Sequence, residues 1–267
     1  MLFADLDLAR RLERAEGHAC LQFAAARRRL FPESGAAWVE CAGAYAVFDG
    51  IDSPITQAFG LGIFEDLTPA ALDQIEQFFI SRGASVQLEV SPLAGVAAIR
   101  LLCDRNYRPI EISSVMHRPV ERPDAPSADN ISVRLINAEE AELYTQLSTK
   151  AWTHDYPEHA AFMEQLTSVS LAREQGPCFI ADLDGQPAAT GGLCLHDGVA
   201  LFAGAATIPE MRCRGLQAAL LEERMRYAFD SGCDLAMMVA EAGSNSQRNA
   251  ERKGFRIAYT RMKWHLQ

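Results

Sequence analysis

Basic residues are scarce in this sequence: 25 Lys and Arg stand against 35 Asp and Glu in 267 residues, a net charge of -10. Affinity for nucleic acid comes mainly from clustered bases, so no nucleic-acid partner is expected. No apolar run approaches the roughly 18 residues that a membrane span needs, and the opening MLFADLDLARRLERAEGHAC lacks the apolar region of a secretory signal. A cytoplasmic protein with no membrane partner is the expectation. The seven cysteines contain no C-x-x-C pair, which fits reduced thiols. The six histidines form no H-E-x-x-H or other ligand spacing, so no metal is expected. A P-loop is absent, and the nearest approach to a dinucleotide fingerprint, Gly60-Leu-Gly-Ile-Phe-Glu65, ends in an acid.

What is present is a globular composition, 49% hydrophobic and 22% charged, in a chain long enough for two ordinary domains. The chain also repeats itself. LTPAALDQIEQFFISRGASVQLEV reads as a helix capped by Thr68, with Pro69 in its first turn, Leu72, Ile75 and Phe79 on one face, Gly83 at its end, then a strand. A second helix from about Leu216 to Ser231, with Leu221, Met225, Ala228 and Phe229 on one side, is likewise followed by Gly232 and the strand LAMMV. After each strand come a turn, a short helix ending in Asn106-Tyr107 or Gly254-Phe255, and an extended segment. Two copies of one domain explain this order. The proline-bearing VERPDAPSADN separates them, giving domains at 1–122 and 131–267 with a linker at 123–130. The second copy reads β-α-α-β-β-β-α-β-α-β-β, a mixed α/β sheet, with Asp184-Gly185 as a hairpin turn.

Charge points to the second copy as the functional one. Residues 208–267 hold ten bases and seven acids in an otherwise acidic chain, which suggests a compact anionic ligand. In PEMRCRGLQAALL, a helix begins at Gly215 with backbone N–H groups that lack intrahelical partners and a positive dipole end, and Arg212 and Arg214 add fixed charge. These features agree on a diphosphate; the alternative is an arginine-rich helix start that merely faces water.

GAATIPE, RCRGLQAALL, the following strand and RNAERKGF together resemble the GCN5-related N-acetyltransferase (GNAT) family. The resemblance covers about residues 131–267 well and residues 1–120 in outline. It implies an α/β fold of two tandem acyl-coenzyme A N-acyltransferase-like domains, each a mixed, mostly antiparallel sheet flanked by helices. It implies an enzyme that moves the acetyl group of acetyl-CoA directly to a primary amine of a small molecule or peptide, as a monomer or homodimer. In the family's Arg/Gln-x-x-Gly-x-Gly/Ala pattern, Arg212 and Gly215 match and Gln217 departs. The residues implied for the pyrophosphate are Arg212, Cys213, Arg214, Gly215, Leu216, Gln217 and Ala218; those for the pantetheine arm are Ala205, Ala206, Thr207 and Ile208; Asn249 is a further contact. The family's usual acid, a tyrosine, falls at Ala250, so the proton donor is missing. Glu241 is the first candidate base and His196 the second. Trp152, His154, Asp155, Tyr156 and Glu158 either line an acceptor pocket or serve structure, Trp152 as a core anchor. In the first copy Glu65 and Asp66 stand where the arginines would be and would repel a diphosphate, so one coenzyme site per chain is expected. A coenzyme-binding sensor or scaffold without chemistry is the alternative, as is an acyltransferase with another acyl donor.

Overall fold

The computed structural model describes residues 3–123, 130–154 and 157–267. Most of the linker expected at 123–130 lies outside the described residues, as do Asp155 and Tyr156 of the acceptor segment. In chain order the elements are α1 (Leu6–Leu30), β1 (Ala37–Cys41), β2 (Ala44–Phe48), β3 (Gln57–Phe59), α2 (Pro69–Ile80), β4 (Gln87–Val90), α3 (Gly95–Asp104) and β5 (Tyr107–Pro119). They continue with β6 (Ile131–Leu135), α4 (Ala141–Trp152), α5 (Ala160–Leu171), β7 (Cys178–Leu183), β8 (Gln186–His196), β9 (Val199–Thr207), α6 (Leu216–Asp230), β10 (Leu235–Glu241), α7 (Asn245–Arg252) and β11 (Arg256–Leu266).

The repeat read from the sequence is present as repeated element order. β1-β2-β3-α2-β4-α3-β5 is echoed by β7-β8-β9-α6-β10-α7-β11. The expected pair of strands at the end of the chain is one strand, β11, with register shifts at Ile257/Tyr259 and Lys263/Trp264. Gly83 and Gly232 both have positive φ, 69° and 78°, and so do Asn106 and Gly254, 65° and 83°. Each follows a helix, where a left-handed residue turns the chain toward the next strand; Asn tolerates that conformation better than other side chains.

Contacts divide the chain into two units, Met1–His117 with Met237–Gln267, and Arg118–Ala236. This division differs from a cut at 123–130 because β11 pairs antiparallel with both β4 (Trp264 opposite Leu88) and β5 (Thr260 opposite Ser114). The final strand of the second copy thus completes the sheet of the first. In that first unit the strands run β1-β2-β3-β4-β11-β5, with β10 beyond β5. β3 pairs parallel with β4, while β1–β2, β2–β3, β4–β11 and β11–β5 are antiparallel. An apolar cluster of the unit joins Leu72, Ile75 and Phe79 of α2 to Leu88, Val90, Leu102 and Trp264.

Helix α1 is fastened at both ends. Asp5 accepts the Leu8 N–H at 2.9 Å, and Arg27, Arg28 and Arg29 sit in the last turn, where the dipole favours cations. Replacing Asp5 with Ala is expected to cost about 1 kcal/mol, read as a lower denaturant midpoint at unchanged slope. Midway along α1 lies a buried charge cluster. Arg261 on β11, 1% exposed, meets Glu13 at 3.1 Å, Glu16 at 2.8 Å and Glu89 at 3.0 Å, while Tyr259 donates to Glu13 at 2.8 Å.

In the second unit β9-β8-β7-β6 form an antiparallel run. The buried face of α6 is Leu216, Leu220, Leu221, Arg224, Met225 and Ala228. Phe229, expected on that face, is 43% exposed. Arg224, in line with Leu216, Leu220 and Ala228 at four-residue spacing, lies on the buried face.

Candidate active site

The expected coenzyme residues from 205 to 218 lie in the second unit, on β9, α6 and the connection between them. β9 does not run straight to that connection. Gly192 pairs with Ala203 and Thr190 with Ala206, so a single residue of β8, Gly191, faces two of β9, Gly204 and Ala205. This is a β-bulge, and Gly204 supplies its positive φ of 63°. Ala203 and Gly204 are exposed in a strand that is buried on either side of them, and a Cβ added to Gly204 would meet nothing within 4 Å. The exposed part of the strand is therefore centred at 203–204. The expectation placed it at Ala205–Ile208, but Ala206, Thr207 and Ile208 are buried, and the Ile208 N–H is taken by the Ala188 carbonyl at 3.0 Å. The bulge shifts the opening toward the start of the strand.

After β9 a short 3-10 turn, Pro209–Met211, leads into Arg212–Gly215 and then α6. Two residues here take left-handed backbone, Cys213 (φ 62°) and Gly215 (φ 88°, ψ -8°). Gly215 occupies the N-cap with no side chain to satisfy the helix. Among the described residues, the amides of Cys213, Arg214, Gly215, Leu216 and Gln217 donate to no recorded acceptor, and the loop from Arg212 to Gly215 is exposed. Successive unpaired amides at a helix start form an anion cradle. Ala218, expected to share in it, donates instead to the Gly215 carbonyl at 3.0 Å. The first turn has closed at that point.

The arginines divide their work. Arg212 donates from Nε to the Thr207 carbonyl and from Nη2 to the Ala151 carbonyl, each at 3.3 Å, fastening the loop to the end of α4. Lys150 of α4 also pairs with Glu210 at 3.1 Å. Arg214 is exposed. The Gln217 side chain turns aside, donating to Thr207 Oγ1 at 2.8 Å, which keeps its bulk off the helix mouth. Replacing Gln217 with Ala is therefore expected to loosen the β9–α6 connection and weaken coenzyme binding about fivefold, the worth of one hydrogen bond, measured by calorimetry.

The other expected residues lie apart from this loop or in the first unit. His196 ends β8 and pairs with Val199, whereas the loop follows the end of β9 that pairs with Ala189; the two places are separated by seven residues of strand, about 23 Å. His196 instead borders a cavity of about 760 Å³ with Asn137, Gln175, Tyr227 and Cys233. That register sets His196 apart from the diphosphate loop, four residues of β8 from Gly192 at the bulge. Glu241 ends β10 as an exposed residue whose carbonyl accepts the Ser244 N–H at 3.1 Å. Asn249 is exposed on α7, and Ala250, where the family tyrosine would stand, is 1% exposed and faces the core. In the acceptor segment Trp152 is 52% exposed, so it is not a core anchor; His154 and Glu158 are exposed too.

Residues 139–255 match the family model described as Acetyltransferase (GNAT) family. The chain carries a GNAT-family domain. Its fold is also that of solved GNAT proteins. A GCN5-related N-acetyltransferase from Kribbella flavida is 19% identical with a TM-score of 0.64, covering 91% of this chain and 93% of that one. Another, from Sphaerobacter thermophilus, is 17% identical with a TM-score of 0.56 over 83% and 76% of the two chains. A tandem GNAT protein from the clavulanic acid biosynthesis pathway is 14% identical with a TM-score of 0.57, covering 99% of this chain and 96% of its own. The likeness to a tandem GNAT fold thus extends over nearly the whole chain. A search of curated proteins found no significant match. Arg224, Gly191 and Gly204 were not singled out as a set from the sequence, although the Gly191-Gly192 pair inside a strand pattern is the usual signal for a bulge.

Proposed function

We propose that this GNAT protein is an N-acetyltransferase that moves the acetyl group of acetyl-CoA directly to a primary amine of a small molecule or peptide. The observation that carries the reading is the run of unpaired amides from Cys213 to Gln217, opened by a left-handed Gly215 at the head of α6. A diphosphate fits there: its oxygens need donors, the loop is exposed, and Arg214 adds positive charge. The bound coenzyme would supply an activated thioester. The chain's own contribution is to seat the diphosphate on residues 213–217 and to offer the exposed bulge at Ala203–Gly204 to the arm. A backbone N–H of that strand polarising the thioester carbonyl would act as an oxyanion donor.

Proton handling is carried by few groups. Glu241 is the proposed base, receiving the amine proton directly or through water. Glu241→Gln is expected to lower kcat and to change its pH profile; unchanged turnover across pH excludes it. No acid stands at position 250, so the departing thiolate takes its proton from water. The buried Ala250 also favours a second reading, a protein that binds the coenzyme without chemistry. Release of free thiol from acetyl-CoA in the presence of an amine panel separates the two.

One coenzyme per chain is expected. At α2, the counterpart of α6, Thr68 Oγ1 accepts the Ala71 N–H at 3.2 Å and Pro69 has no N–H to offer, and exposed Glu65 and Asp66 precede them. Calorimetric titration with acetyl-CoA should give a stoichiometry of one; two equivalent sites would overturn this.

A further inference from the structure

Arg224 is the group in the second unit whose burial the proposed chemistry has not used. It is 3% exposed, within the apolar stripe of α6, and no carboxylate among the described residues pairs with it. Its Nε donates to the Leu220 carbonyl of its own helix at 3.1 Å. Its Nη1 donates to the Gly192 carbonyl at 3.1 Å and reaches the Ala203 carbonyl at 3.5 Å. The Phe202 ring lies 5.1 Å from its guanidinium carbon.

A guanidinium buried without a counter-ion costs several kcal/mol, so ordinary helix packing would favour Leu or Met at this position. The acceptors explain where it is used. Gly192 and Ala203 are the register pair at one edge of the bulge, and Gly191, the single residue facing Gly204 and Ala205, is the point at which a Cβ would come within 3.1 Å of the Arg224 guanidinium carbon. The charge, the glycine that makes room for it and the displaced strand meet at one place. Burial lowers the Arg224 pKa to about 10, which leaves it charged at neutral pH.

Resting on the acetyltransferase reading, we infer that Arg224 is a positioning residue: it clamps β8 to β9 at the bulge and so fixes where Ala203 and Gly204 present their backbone to the acetyl thioester. It does not touch the coenzyme. Its action passes through two carbonyls, whose engagement sets the orientation of the bulged peptide units. The diphosphate seat, at the other end of the connection, is independent of it.

The test compares acetyl-CoA with coenzyme A by calorimetry on the full chain, because both carry the diphosphate and only one carries the acetyl carbonyl. The wild-type protein is expected to prefer acetyl-CoA. In Arg224→Met that preference should fall by about fivefold or more, the worth of one hydrogen bond, while the Kd for coenzyme A stays within about twofold. Gly191→Ala, which keeps the charge and displaces it, should lose preference in the same direction and decides the matter if Arg224→Met does not fold. Retained preference in the folded variants, or equal weakening of both ligands, overturns the inference. Failure of the wild-type chain to bind either ligand overturns the acetyltransferase reading itself, a result distinguishable from the others.

Discussion

Gly215→Val is expected to weaken acetyl-CoA binding by at least about a hundredfold, or roughly 2.7 kcal/mol, while the protein still folds. Three costs add in the same direction. A left-handed residue at φ 88° is open to glycine and strained by roughly 1–2 kcal/mol for an ordinary side chain, more for a β-branched one. A Cβ there would come within 3.4 Å of Ile131 Cδ1, so the new side chain cannot simply retreat from the loop. Relief of the strain rotates peptide units whose N–H groups converge on the proposed diphosphate, and each hydrogen bond to a charged group is worth about 1.5–3 kcal/mol. Calorimetry reports the affinity, and a thermal melt confirms folding. Arg214→Ala should cost less, because an exposed guanidinium is screened by solvent. Undiminished affinity in Gly215→Val would place the coenzyme elsewhere.

The second large effect concerns stability. Arg261→Met is expected to destabilise the protein by about 3–5 kcal/mol, since it leaves buried carboxylates without their cation. Glu13 is fully buried, Glu89 nearly so and Glu16 partly buried, all drawn toward one guanidinium that is 1% exposed. Glu13→Gln should cost much less. Burial already pushes the Glu13 carboxyl above its ordinary value of 4.5, against the pull of Arg261. An acid with a raised folded pKa binds its proton more readily folded than unfolded. Its contribution is therefore complete below 4.5 and is lost as pH rises through the folded value. Acidification consequently favours this site, and Arg261→Met should recover part of its lost stability as the pH is lowered from 7 toward 5. Denaturant unfolding at the two pH values checks both claims.

Local patterns carried much of the fold. Thr68, Pro69 and the spacing of Leu72, Ile75 and Phe79 define α2, and a glycine after each of α2 and α6 marks the left-handed exit to the following strand. Those signals act within a few residues, where side-chain capping and helical period dictate backbone shape. Arg224 was legible only as one more base in a positive segment. It lies four residues from both Leu220 and Ala228 on the buried face, but residue type alone does not tell a buried guanidinium from a solvated one.

The sequence by itself determined the repeated order of elements, the glycine at the head of α6 and the missing tyrosine at position 250, because each depends on residue type at fixed local spacing. Only the tertiary structure decided that β11 completes the first unit, that the β9 opening lies at Ala203–Gly204 and that His196 sits at the far end of β8. Strand partners and register arise from hydrogen bonds between distant segments. A one-residue bulge that moves the exposed backbone has no counterpart in the spacing along either strand alone.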